Sequence, residues 1–295
     1  MSIYLTGASG FVGKNIIEFF RDSKKIVKAT RKTSIEIEEE VVIHLAGKAH
    51  DLKGASSSDE YYKVNTELTK EIFDAFLISE AKVFITLSSV KAVADEVDGE
   101  LFEDVTPNPI THYGKSKLLA EQYIVSKPIP AGKRVYILRP CMIHGPGNKG
   151  NLNLLYSLVS KGLPWPLGLF KNSRSYLSID NLCFIIKELI EREDIPSGVY
   201  NVADDVPLST NEVINIIAES KGKKAKTLNL SQNLIKKLAR LGDFLKLPLD
   251  SERLQKLTES YVVSNAKIKA ALGKPLPVSS KEGLMRTFKS FADNV

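Results

Sequence analysis

Short apolar, β-branched runs alternate with longer periodic segments through the first two thirds of the chain. SIYLT at Ser2–Thr6, IVKAT at 26–30, VVIHLA at 41–46, VFITL at Val83–Leu87 and VYIL at 135–138 have the length and make-up of buried strands. Helical periodicity fills the intervals at 13–23, 65–79 and 115–125. Such alternation implies right-handed crossovers and predicts an α/β fold built on a doubly wound parallel sheet. GVYNVA at 198–203 reads as a late return strand, and Ser209-Thr-Asn-Glu212 has the spacing of a capping box that opens a helix to about residue 218. Beyond it the pattern changes to helices, Lys-rich loops and only short strand candidates. Within 231–247, Leu234, Ile235, Leu238, Leu241 and Leu245 share one helical face opposite Lys236, Lys237 and Arg240. That pattern suits a membrane surface or, more commonly, a helix packed on its own domain.

Composition narrows the class. With 295 residues, 43% hydrophobic and 26% charged, the chain is ordinary globular material long enough to bury a large core. No apolar run approaches the length of a membrane span, and the start, MSIYLTGASG, carries no secretion signal, so a cytoplasmic protein is expected. Cys141 and Cys183 are isolated and fit no metal-ligand spacing, which reads as two reduced thiols and no metal. The net charge of +6 admits nucleic acid, a membrane surface or a small anionic ligand. The absence of a basic stripe interleaved with aromatics argues against nucleic acid.

Candidate chemistry begins at Thr6-Gly-Ala-Ser-Gly-Phe-Val-Gly13, between the first strand and the first helix. Gly7, Gly10 and Gly13, with Ser9, Phe11 and Val12 between them, permit a tight turn and let a diphosphate approach the backbone at the helix N-terminus. An NAD site normally places an Asp or Glu at the end of the second strand to hold the ribose 2′-hydroxyl. Here the segment reads Ala29-Thr-Arg-Lys-Thr33, and Arg31 and Lys32 suit a 2′-phosphate instead. NADP(H) is therefore favoured, with NAD(H) left open. Tyr113 and Lys117 lie four residues apart, one helical turn on the same face. An ammonium about 5 Å from the phenol, at an effective dielectric near 20, would lower its pKa by about two units and make Tyr113 a usable acid or base. Ser88 and Ser89 end the fourth main strand, where a hydroxyl can enter the same cleft.

Together these residues resemble the extended short-chain dehydrogenase/reductases, the NAD-dependent epimerase/dehydratase group acting on nucleotide sugars. The resemblance runs nearly end to end, through GASGFVG at 7–13, VIHLAG at 42–47, VN at 64–65, LSS at 87–89, YGKSK at 113–117 and LRPCMIHGPG at 138–147. It implies a Rossmann domain over 1–148 plus 178–204, with a smaller, mostly helical substrate lobe over 149–177 plus 205–295. It implies Ser89, Tyr113 and Lys117 as catalytic residues, and Leu45, Ala46, Gly47, Pro140 and Ile143 beside the cofactor. Asn151 and Arg174 become candidate ligands of a UDP diphosphate and uridine, Arg253 a second diphosphate clamp, and His50 a sugar contact. A homodimer is the expected assembly.

The segments LSSVK, NLNLL, LPWPLG and NSRSYLSIDNL look most like the branch making UDP-linked N-acetyl sugars for surface polysaccharides. The leading expectation is NADPH-dependent reduction of a UDP-4-keto-6-deoxy-N-acetylhexose. A UDP-hexose 4-epimerase with tightly bound NAD is the alternative, and the complete Ser/Tyr/Lys set argues against a non-catalytic dinucleotide sensor. Two departures from the family pattern stand out. Only about ten residues, 31–40, lie where the family inserts a helix and a strand, so Ile35 and Ile37 are expected to form a shortened strand. His112 precedes Tyr113 where proline is common, as a loop residue or a substrate contact.

Overall fold

Six strands pair side by side in the computed structural model, which describes residues 1–29, 35–48, 58–148, 150–245 and 250–292 and only the backbone of Asn151. From the N-terminus come β1 (Ser2–Thr6), α1 (Phe11–Phe20), β2 (Lys25–Lys28), β3 (Val41–His44), α2 (Ser58–Tyr61), a π-helical turn (Tyr62–Glu67), α3 (Leu68–Ile78) and β4 (Val83–Leu87). A 3₁₀ turn (Val90–Ala92), β5 (Glu100–Leu101), α4 (His112–Ser126), β6 (Arg134–Pro140), β7 (Met142–His144), α5 (Asn151–Ser160), β8 (Tyr176–Ser178) and α6 (Ile179–Glu191) follow. Then come β9 (Gly198–Val202), α7 (Thr210–Ser220), α8 (Gln232–Leu245), α9 (Ser251–Thr258), β10 (Val262–Val263), α10 (Ala266–Leu272) and α11 (Ser280–Ala292). The main sheet has the order β2-β1-β3-β4-β6-β9, parallel throughout. Because the chain passes outward to β2 and returns across β1 to β3, the topological switch point falls between β1 and β3, where such sheets bind ligands.

The two-residue period of each strand divides the core into two layers. Ile3, Leu5, Val41, Ile43, Val83, Ile85, Tyr136 and Leu138 face α1 and α6. Tyr4, Val42, Phe84, Val135 and Ile137 face the other way, onto Phe73 and Phe76 of α3 and Ile124 of α4. A second core gathers Tyr156, Trp165, Phe170, Ile214, Ile217, Leu284 and Phe288 from α5, α7, α11 and the loops between. Trp165 fits there because its indole N–H donates to Asn211 Oδ1 at 2.8 Å. Within the stretch expected of the second lobe, α10 sends Ile268 and Leu272 into the α1/α6 layer of the sheet instead. Among the described residues, no helix is long and apolar enough to cross a membrane.

The capping box forms as expected: Glu212 N–H donates to Ser209 Oγ at 3.1 Å, and Ser209 N–H to Glu212 Oε2 at 2.7 Å. Three expectations are corrected. Ile35 and Ile37 form no strand; Ile37 is buried in the α3 layer with Ile35 packed at its margin. A parallel strand outside β2 needs a crossover of a dozen or more residues on the way back, and this connection is too short to hold both. Second, α4 begins at His112 rather than 115, because Thr111 Oγ1 accepts from Gly114 N–H at 3.1 Å and caps the helix ahead of the apolar period. Third, of the apolar positions assigned to the inner face of α8, only Ile235 is buried, and it is joined by Ala239 and Gly242. Leu234, Leu238, Leu241 and Leu245 lie about a quarter turn away and are exposed.

Phe84 stands between Phe73 and Phe76, with ring centroids at 5.0 and 5.2 Å. Phe84→Ala is expected to remove about 3–5 kcal/mol of stability, read by urea unfolding, with the unfolding cooperativity retained.

Candidate functional site

The glycine turn shows why it carries no side chains. Gly7 sits at φ +68°, and a Cβ there would lie 2.7 Å from Ala46 N, in the adjacent β3 loop. A Cβ on Gly13 would come within 2.3 Å of Gly7 O, so α1 starts directly against the end of β1. Gly10 N–H donates to Gly7 O at 3.0 Å, closing the turn. No side chain caps α1, which leaves its first-turn N–H groups open to an anion. Ser9 and Gly10 are exposed at the mouth, while Phe11 and Val12 pack at the edge of the sheet core together with Leu45 and Ile143. Gly145, after β7, lies against Phe11, its Cβ position 3.4 Å from the ring. These are cradles that a side chain would fill and a dinucleotide diphosphate fits.

Beneath the turn runs a chain of buried hydrogen bonds. Thr6 Oγ1 accepts from Leu45 N–H and Ala46 N–H, both at 3.1 Å, so its own proton goes to His44 Nδ1 at 2.8 Å. His44 Nε2–H then donates to Thr69 Oγ1 at 2.9 Å, and Thr69 donates to Asn65 O at 2.8 Å. The chain is consistent only with a neutral imidazole. Burial, helped by the nearby Lys117 cation, pushes His44 down to about 3. Asn65 extends the network. Its Oδ1 accepts from Lys48 N–H at 2.8 Å, and its Nδ2 donates to Lys48 O at 3.0 Å and Ser116 Oγ at 2.9 Å. One side chain thus ties the loop after β3 to the helix carrying Tyr113 and Lys117. Sequence reasoning gave Asn65 no role; the signal available was the Val-Asn pair, and a π-turn of this kind often marks a functional site.

Ser89, Tyr113 and Lys117 converge at the C-terminal end of β4. The Ser89 hydroxyl hydrogen-bonds the Tyr113 phenol and also accepts from Lys91 N–H at 3.2 Å. Ser88 Oγ, by contrast, is buried with no partner among the described residues, in a small cavity shared with Thr69, Thr86, Lys117 and Glu121. Lys117 Nζ donates to Leu87 O at 2.8 Å and lies 3.0 Å from where a Cβ on Gly47 would sit. The cation therefore stands directly under the backbone of the β3 loop. The expected lowering of the tyrosine is corrected: burial pushes the Tyr113 phenol up, outweighing the Ser89 hydrogen bond that pulls it down. Desolvation likewise brings Lys117 down to about 8, against the pull of Glu121. His112 hydrogen-bonds Tyr62 Oη at 3.2 Å in the first turn of α4.

The remaining expected residues scatter more widely. Arg31, Lys32 and His50 lie outside the described residues, as does the Asn151 side chain, although Asn151 opens α5. Pro140 ends β6, and the neighbouring Arg139 is committed elsewhere, its guanidinium forked on buried Glu121 at 2.6–3.1 Å. Arg174 donates to Lys256 O and pairs with Glu259 at 3.4 Å, so it braces the end of α9. Arg253, on exposed α9, pairs with Asp250 at 3.5 Å. Beside it opens a hollow of about 310 Å³ lined by Phe170, Lys236, Arg240, Ser251, Leu254 and Thr258, which the sequence did not single out.

The profile of the NAD dependent epimerase/dehydratase family matches residues 3–203. A UDP-glucose 4-epimerase of Vibrio cholerae is 30% identical, covering 98% of this chain and 95% of its own. Among solved structures, UDP-glucuronic acid 4-epimerase from Bacillus cereus in complex with NAD superposes with a TM-score of 0.74 at 19% identity, over 99% of both chains. RMD from Pseudomonas aeruginosa, complexed with NADPH, gives 0.73 at 19% identity, again over 99% of both. This fold therefore hosts either dinucleotide.

Because His44 takes up its proton near 3 in the folded protein but near 6.5 when unfolded, stability is fully present above pH 6.5 and is lost as pH falls toward 3. This one group is expected to contribute a slope of about 1.4 kcal/mol per pH unit, which His44→Asn removes. Urea unfolding at neutral and mildly acidic pH measures the difference.

Proposed function

The chain belongs to the NAD dependent epimerase/dehydratase family, and on that premise we propose that it is an NADPH-dependent reductase of a UDP-linked 4-keto-6-deoxy-N-acetylhexose. The observation that carries the reading is the hydrogen bond of Ser89 to the Tyr113 phenol, with the Lys117 ammonium held on Leu87 O at the end of the same strand. A reduced nicotinamide bound in this cleft would supply hydride for C4 of the sugar. Tyr113, its phenol raised by burial, is a proton donor at neutral pH and delivers its proton to the oxygen at C4 as negative charge develops there. Ser89, hydrogen-bonded to the same phenol, holds that oxygen in place. Lys117, under Gly47, binds the nicotinamide ribose and supplies positive charge beside the forming alkoxide.

The glycine turn with Ser9, Phe11 and Val12 holds the diphosphate, and Leu45, Ala46, Pro140 and Ile143 flank the nicotinamide. Arg31 and Lys32 take the 2′-phosphate. By resemblance, Asn151 and Arg253 are assigned to the UDP diphosphate and His50 to the sugar, while Arg174, held by Lys256 O and Glu259, fixes the end of α9. The Vibrio cholerae relative supports a second reading, a UDP-hexose 4-epimerase. There Tyr113 must begin by removing the 4-hydroxyl proton, which a phenol pushed upward by burial does poorly.

The purified protein is expected to release NADP(H) or nothing on denaturation and to consume NADPH with UDP-4-keto-6-deoxy-N-acetylglucosamine. Tyr113→Phe should lower kcat by about 10²–10⁴ with UDP affinity unchanged. Stoichiometric NAD in the mass spectrum, with no NADPH consumption, overturns the reductase in favour of the epimerase.

A further inference from the structure

The proposed chemistry leaves the outward face of α8 unused. Leu234, Leu238, Leu241 and Leu245 recur every third or fourth residue and are 47%, 46%, 50% and 53% exposed, and Phe244 beside them is 85% exposed. They form a continuous apolar stripe on a helix already seated in the lobe by Ile235, Ala239 and Gly242, so the stripe is left over after folding. Lys237, three residues beyond Leu234 and four before Leu241, borders it and is exposed.

Charge identifies the occupant. Residues 221–245 contain seven Lys or Arg (Lys221, Lys223, Lys224, Lys226, Lys236, Lys237, Arg240) against Asp243 alone, a net +6. That equals the excess of the whole chain; the rest balances at 34 basic against 34 acidic residues. Lys223, Lys224 and Lys226 are exposed on the segment leading into α8, as are Lys236, Lys237 and Arg240 on the helix. A second copy of this chain would set this concentration of positive charge against itself. An apolar stripe bordered by lysine is the pattern of a helix lying in the plane of an anionic bilayer, leucines in the acyl boundary and ammonium groups at the phosphates.

We propose that α8 docks the protein on an anionic membrane surface, independently of which sugar nucleotide it turns over. The full chain is mixed with vesicles of phosphatidylcholine alone, or with roughly one third phosphatidylglycerol, and sedimented at about 0.1 M and about 1 M salt. Binding is expected to the anionic vesicles only and to weaken in high salt. A combined Leu234→Gln, Leu238→Gln, Leu241→Gln variant should lose about tenfold or more of it. Lys223→Gln, Lys224→Gln, Lys226→Gln should weaken binding and flatten its salt dependence. Circular dichroism and NADPH oxidation report that both variants are folded. Failure of the wild type to sediment with anionic vesicles overturns the proposal, as does binding that the leucine variant retains. So does a dimer in analytical ultracentrifugation that the leucine variant converts to monomer without vesicle binding, which assigns the stripe to a second copy.

Discussion

The top of the sheet is organised around a positive charge removed from water. Lys117 is 8% exposed, and Leu87 O, at 2.8 Å, is one of the few groups facing its ammonium. Burying a cation is unfavourable unless its surroundings answer it. Glu121, one turn along α4, supplies opposite charge but is itself forked on Arg139. His44 stays neutral because it is buried and, secondarily, because the cation is near, and its neutral tautomer then dictates the direction of every bond from Thr6 to Asn65. The network is therefore directional, and the glycine turn, the β3 loop and the π-turn share one alignment.

Arg139 and Glu121 form the support below this arrangement. The pair joins the end of β6 to the middle of α4, with side chains 7% and 5% exposed. Removing one partner from such a pair strands the other, a loss of about 3–5 kcal/mol, whereas the intact fork fixes how α4 sits on the sheet. Tyr113 and Lys117 inherit their positions from that seating. Arginine at 139 is thus structural, although it lies in the segment that the family resemblance places beside the dinucleotide.

The parts legible in the sequence are those governed by local periodicity or by sterics. The strands alternate faces as their residues do, and Gly7 and Gly13 occupy sites where any Cβ would collide with backbone. Tyr113 and Lys117 fall on one helical face by spacing alone. Asn65 was not legible because its partners lie 17 and 51 residues away, and only the folded sheet brings them together. The face of α8 was misjudged for a related reason: five apolar positions define two adjoining faces, and tertiary packing chooses Ile235 over the leucines. The tyrosine shift went the wrong way because a Coulomb estimate between two side chains omitted the desolvation of both.

Desolvation of the phenol bears on the direction of the chemistry. A phenol raised by burial is lowered by positive charge brought close to it and by hydrogen bonds to its oxygen, of which Ser89 already gives one. Oxidised NAD carries a cationic nicotinamide ring, whereas the ring of NADPH is neutral and its additional charge sits far off on the 2′-phosphate. With the reduced dinucleotide in the cleft, Tyr113 would meet no new cation, and burial would keep its phenol protonated, the form that can give a proton to the sugar oxygen. An epimerase built on these residues would add the charge of its oxidised cofactor to the Ser89 hydrogen bond in forming its base.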